Sequence, residues 1–178
     1  MTINGLGAIS AANIQDMDLE TAMLTVQANR VSLLEAQLKE QITSIQAKND
    51  QVAKLNALLS YINSLAAKFE PGAGPTDTLD GKIPVHEFID LKNHLDAAGV
   101  TLEDIFGKDT ELEKIPKSSF DGAVARLKGS IDSLSNTQQM DMLRLQGLSN
   151  KRNEAVDVQT NFMKKMQDNR SSIIGNMR

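Results

Sequence analysis

Neither glycine nor proline occurs between Met17 and Phe69. Both residues punctuate turns, so a run this long without them leaves one continuous helix as the economical reading. The apolar pattern agrees. Met17, Leu24, Val31, Leu38, Ile45, Val52, Leu59 and Ala66 recur at every seventh position, and Leu34, Leu55, Ile62 and Phe69 fall three positions after members of that column. Gln27, Gln41 and Lys48 share this second phase, so the seam is apolar with polar interruptions. A sevenfold repeat predicts helices that wrap with a left-handed twist, because about 3.6 residues per turn otherwise carries the stripe around the cylinder. Unbroken, such a helix spans roughly 80 Å. Asp16 or Asp18 caps its start, with Glu20 in the first turn, where orphan amides and the helix dipole favour an anion.

Pro71, Gly72, Gly74 and Pro75 end that helix by removing a donor and loosening the backbone. Val85 to Ala98 then supports a short helix with Phe88, Leu91 and Leu95 on one side, Val85 a further candidate for it, and Gly99 placed to stop it. Thr101 and Asp104 form a capping box for a further turn or two. Residues 70–117 hold eleven Asp and Glu against five Lys, so the acidity of the chain, net charge -4, is concentrated in its middle. Such a run reads as a solvated face, with a docking surface or weak cation binding as the other readings.

Helical signal returns at Ser118, with Ser118 and Asp121 as a second capping box. Phe120, Leu127, Leu134, Leu148, Ala155 and Phe162 mark one column; Val124, Ile131, Leu145, Met166 and Ile173 mark its neighbour. Gln138, Asp141, Arg152 and Gln159 interrupt the stripe, either as polar layers that fix register or as positions turned to solvent. The second helix runs to about Arg170 and nearly matches the first in length. The expected architecture is therefore all-α: an elongated antiparallel two-helix coiled-coil hairpin with a small acidic middle insertion. The divisions are a flexible N-terminal export segment over 1–16, a long helix over 17–69, the insertion over 70–118, a second long helix over 119–170 and an assembly tail over 171–178.

Chemistry is sparse. The chain has no Cys, which excludes a disulfide scaffold, thiol catalysis and a Cys-built metal centre. His86 and His94 lack the HExxH spacing that aims two imidazoles at zinc, and Glu103 with Asp104 is better explained by capping. No phosphate-cradling glycine loop, nucleophile elbow or EF-hand loop is present. We expect no enzyme, no cofactor and no metal. With no basic excess and 3% aromatic residues, nucleic acid is not an expected partner. No stretch approaches the length of a transmembrane helix. The opening MTINGLGAISAANIQDMD lacks the basic start and apolar core of a cleavable signal peptide; a fraying terminus and a transport or assembly segment both remain open. The methionines, Met140, Met142, Met163, Met166 and Met177 among them, fill uneven helix interfaces in preference to forming an adaptable binding surface.

A two-helix hairpin buries one sector of each helix, yet the apolar residues spread over adjacent columns, as in Leu33 with Leu34 and Leu58 with Leu59. Something else must cover the excess, and a second copy is one candidate. The stretch SNTQQMDMLRLQGLSNKRNEAVDVQTNFMKKMQDNRSSIIGNMR, with DMDLETAMLTVQANRVSLLEAQLKEQ over 16–41, resembles the type III secretion filament and needle-tip proteins of the Bordetella and enteropathogenic Escherichia type. The resemblance covers both helical arms and is weakest over 70–117. It implies a secreted, virulence-associated subunit of a bacterial surface appendage. Such a subunit polymerises into a helical filament, links a needle subunit to translocator proteins as a conduit for effectors, and is held by an intracellular secretion chaperone before export. On that analogy Leu24, Val31, Leu38, Ile45 and Val52 oppose Leu145, Leu148, Val156, Phe162, Met166, Ile173 and Ile174 in self-assembly. The rival readings are a finite needle-tip scaffold and a soluble helical chaperone or adaptor that binds another chain without forming a tube.

Overall fold

The run without glycine or proline folds as helix α1, Leu19–Ala66, and the returning signal as helix α4, Lys117–Asn176, in a computed structural model that describes residues 18–79, 83–107 and 114–176. Between them lie α2, Val85–Ala98, and α3, Leu102–Phe106. Asp18 caps α1 by accepting from the Thr21 amide at 2.8 Å. Helix α1 stops at Ala66, ahead of Pro71, and its last turn tightens through Lys68 N to Leu65 O and Phe69 N to Ala66 O. Gly99 ends α2 in the left-handed conformation, φ 66°, where a Cβ is disfavoured. Thr101 and Asp104 form the capping box of α3 in both directions. Helix α4 begins one residue before the expected box at Ser118. Its first amides are taken up by the loop that follows α1, Lys117 N donating to Asp77 O and Ser118 N to Pro75 O.

The chain divides into two compact units, one spanning Thr43–Met142 and the other joining residues up to Ile42 with those from Leu143 onward. Both long helices contribute to each. In the Thr43–Met142 unit, four helices close one core. Leu55, Leu58, Ile62 and Leu65 of α1 meet Leu91, Leu95 and Ala98 of α2, Ile105 and Phe106 of α3, and Phe120, Ala123 and Leu127 of α4. Phe120 stands edge-on to both Phe69 and Phe106, with ring centroids 5.5 and 5.3 Å apart. Helices as short as α2 and α3 are marginal alone and depend on tertiary contacts. The long helices also supply partners for their carbonyls: Gln51 donates to Ala98 O at 2.7 Å, and Arg126 to Ile105 O at 2.7 Å, a cation at a helix C-terminus.

This corrects the expected fold. The helical content stands, but the described residues form four packed helices, and residues 70–118 are not an insertion hung on a two-helix coiled-coil hairpin. The acidic residues of α2 hid an inward face, and that face seals the core. The excess apolar surface has two fates. Leu58 is fully buried and its neighbour Leu59 packs against the same core, whereas Leu33 is left 60% exposed.

The second unit is a pair of antiparallel helix segments, α1 up to Ile42 and α4 from Leu143. Arg152 reaches across to Glu35, with Nη2 to Oε1 at 2.9 Å. The export segment over 1–16 and the tail residues 177–178 lie outside the described residues. Residues 171–176 continue α4, past the expected end near Arg170.

Both cap carboxylates sit below their ordinary range. For Asp104 the hydroxyl and then the amide of Thr101 favour the charged form; for Asp18 the Thr21 amide and then its hydroxyl do so. A depressed carboxylate contributes stability that is complete above its unfolded value, near pH ~3.9, and lost as pH falls through the lower folded value. The difference in helical circular dichroism between wild type and Asp104→Asn is therefore expected to close below about pH 4. A difference that persists unchanged at lower pH would show that the carboxylate charge is not its source.

Candidate functional site

Tyr61 and His94 are held in the packing between α1 and α2. His94 stacks on Tyr61 with ring centroids 4.7 Å apart, and the Tyr61 hydroxyl donates to Glu87 O at 2.8 Å. Burial, then the charges of Asp90 and Glu87, push the Tyr61 phenol up. His86 is exposed. Among the described residues no group of three or more His, Cys, Asp or Glu is placed to hold a metal ion. A shallow groove in the Thr43–Met142 unit is lined by Leu55, Val100, Gln51, Arg126, Ser130 and Leu134. Its longest polar side chains, Gln51 and Arg126, are the ones already donating to helix carbonyls. Among the described residues no helix is long and apolar enough to cross a membrane.

The two-helix unit offers a different kind of surface. Its sevenfold seam is only half buried: Leu24, Val31, Leu38, Leu145, Leu148, Phe162 and Met166 all retain partial exposure, and among the described residues of these columns only Leu34 and Ala155 are buried. One pair of helices cannot hide more than a narrow sector of each. The Glu35–Arg152 bridge marks one edge of this seam. Along α1, the opposite edge carries Leu19, Met23, Val26 and Leu33, at 77%, 44%, 48% and 60% exposure. On α4 the row bordering that same edge holds Lys151, Val158 and Lys165, all exposed. The spacing of four, three and seven keeps the α1 residues in one stripe about 21 Å long.

The residues assigned to self-assembly are distributed between the units. Ile45 and Val52 are half buried in the Thr43–Met142 unit; Leu24, Val31, Leu38, Leu145, Leu148, Val156, Phe162 and Met166 are half buried in the two-helix unit. Ile174 stands 68% exposed. The side chain of Ile173, like Met177, lies outside what the structure describes. Met140, Met142 and Met163 are 66%, 55% and 55% exposed, so they do not fill interfaces within the chain. Sequence reasoning missed the outward stripe itself. Its signal was available: Leu19, Val26 and Leu33 repeat every seven residues beside the main column, and Met23 follows Leu19 by four.

Comparison with protein-family models, curated proteins and solved structures finds no match to any of them. The resemblance to type III secretion filament and needle-tip proteins is accordingly withdrawn. It rested on the sequences of the two arms and implied an elongated two-helix coiled coil. The middle instead closes the core of a compact four-helix unit. The reading as a filament subunit forming a conduit falls with it, as do the coiled-coil, filament and needle-tip descriptions. That reading needed both arms to leave their stripes uncovered, and around Leu58, Ile62, Leu65, Phe120 and Leu127 the chain covers them itself.

Proposed function

We propose that the chain is a helical adaptor or chaperone, a binding protein without catalytic chemistry, which holds a helix of another polypeptide on its two-helix unit. The observation that carries this reading is the contrast between the units. One closes its apolar core with four helices, while the other leaves Leu19, Met23, Val26 and Leu33 in an open stripe. A contiguous exposed apolar stripe on a folded unit marks an interaction site. The spacing of its anchors is that read by helix-in-groove recognition.

Selection of helical peptides displayed on phage against the purified chain tests the proposal. Amphipathic helices are expected to be enriched and to bind with discrete stoichiometry, and light scattering should give one bounded species over a wide concentration range. Absence of enrichment over scrambled sequences, or unlimited growth with concentration, would defeat it. Val26→Asp with Leu33→Asp is expected to abolish peptide binding while changing stability by no more than about 0.5 kcal/mol per site, because neither side chain belongs to a core. Urea unfolding in parallel with peptide titration checks both halves.

A further inference from the structure

We infer that the partner seated on the Leu19–Leu33 stripe is an acidic amphipathic helix of another protein; this rests on the adaptor reading above. The two rows that flank the seam on this edge are Met23, Arg30 and Gln37 on α1, and Lys151, Val158 and Lys165 on α4. Every charge among these six is positive. Arg30, Lys151 and Lys165 are exposed and make no ion pair among the described residues. The acids of the same side, Glu40, Glu154 and Asp168, stand one row further out. This basic rim runs against the composition of the chain, whose net charge is -4.

A helix laid on Leu19, Met23, Val26 and Leu33 brings its own flanking positions against Arg30, Lys151 and Lys165. Glu or Asp there gains charge pairing at the rim of an apolar contact, whereas Lys or Arg meets like charge. A second copy of this chain is a poor occupant. An antiparallel two-fold contact through the same face lays one basic rim along the other, like charge beside like charge. Nucleic acid does not match either, since the centre of the site is aliphatic and offers no aromatic ring for stacking.

Three labelled synthetic peptides test the inference. They share a Leu sevenfold stripe and carry Glu, Gln or Lys at the flanking positions. Each is titrated into the full chain and followed by fluorescence anisotropy. The Glu peptide is expected to bind about tenfold or more tightly than the Lys peptide at low salt, with the ratio shrinking as salt rises. Arg30→Glu with Lys151→Glu reverses the order while leaving the circular dichroism spectrum intact. Equal binding of all three peptides overturns the acidic preference and leaves the adaptor reading standing; binding of none overturns both. Binding to phosphatidylserine vesicles with no peptide binding, or a stable dimer broken by Leu33→Asp, likewise overturns the inference.

Discussion

Replacing Leu91 with alanine is expected to lower the unfolding free energy by about 2–5 kcal/mol, in the range for a large aliphatic side chain removed from a packed core. Leu91 has no solvent exposure and lies on α2, within the acidic segment between the long helices. If that segment were an appendage, the substitution would be almost silent. Val85→Ala is the matched control on the same helix: Val85 is 74% exposed, and a change within about 0.5 kcal/mol is expected. Tyr61 is the one tyrosine of the chain and stacks on His94 of α2, so its fluorescence during urea unfolding reads this unit directly. A Leu91→Ala midpoint indistinguishable from that of Val85→Ala would mean that α2 does not close the core.

What the sequence disclosed, and what it withheld, follow from the range of each interaction. The helical course of α1 was legible because Gly and Pro act locally and are absent. The ends of α2 and α3 were legible because Gly99, Thr101 and Asp104 act within one turn of their own positions. Coverage is not local. Nothing near Leu33 or Leu58 distinguishes them, yet Leu58 is sealed within the four-helix core and Leu33 is not. The acidic count over residues 70–117 was accurate but misleading, since one amphipathic helix can present Asp90 and Asp96 outward and Leu91 and Leu95 inward. The resemblance failed for a related reason. A sevenfold apolar column is demanded of any long helix that packs along its length, so shared columns speak to helical class and are silent on assembly. The exposed stripe was half legible: the pairing of Leu33 with Leu34 revealed surplus apolar surface, but which neighbour loses its cover is settled only in three dimensions.

The same limitation applies to the polar breaks in the seam, and the ion pair between Lys48 and Asp141 yields the second large prediction. Asp141 is 5% exposed, and beside it Gln138 donates to Asn49 at 2.8 Å. Sliding α4 by seven residues against α1 would restore apolar columns to apolar columns, so those columns alone cannot fix the register. The slide would, however, move Leu134 or Leu148 into the place of Asp141 and leave Lys48 without its carboxylate. Lys48→Met is therefore expected to destabilise the Thr43–Met142 unit by about 1–3 kcal/mol, because it strips a partner from a buried charge; the value lies below that for fully buried pairs because Lys48 keeps 28% of its side-chain exposure. Lys48→Met with Asp141→Leu is expected to recover to within about 1 kcal/mol of wild type, as apolar replacements of buried pairs commonly do. Its loss is in uniqueness: amide resonances of α1 and α4 should double as two registers become comparable in energy, where wild type shows one set. A double variant with a single set of resonances, together with a Lys48→Met chain as stable as wild type, would show that the register is held elsewhere.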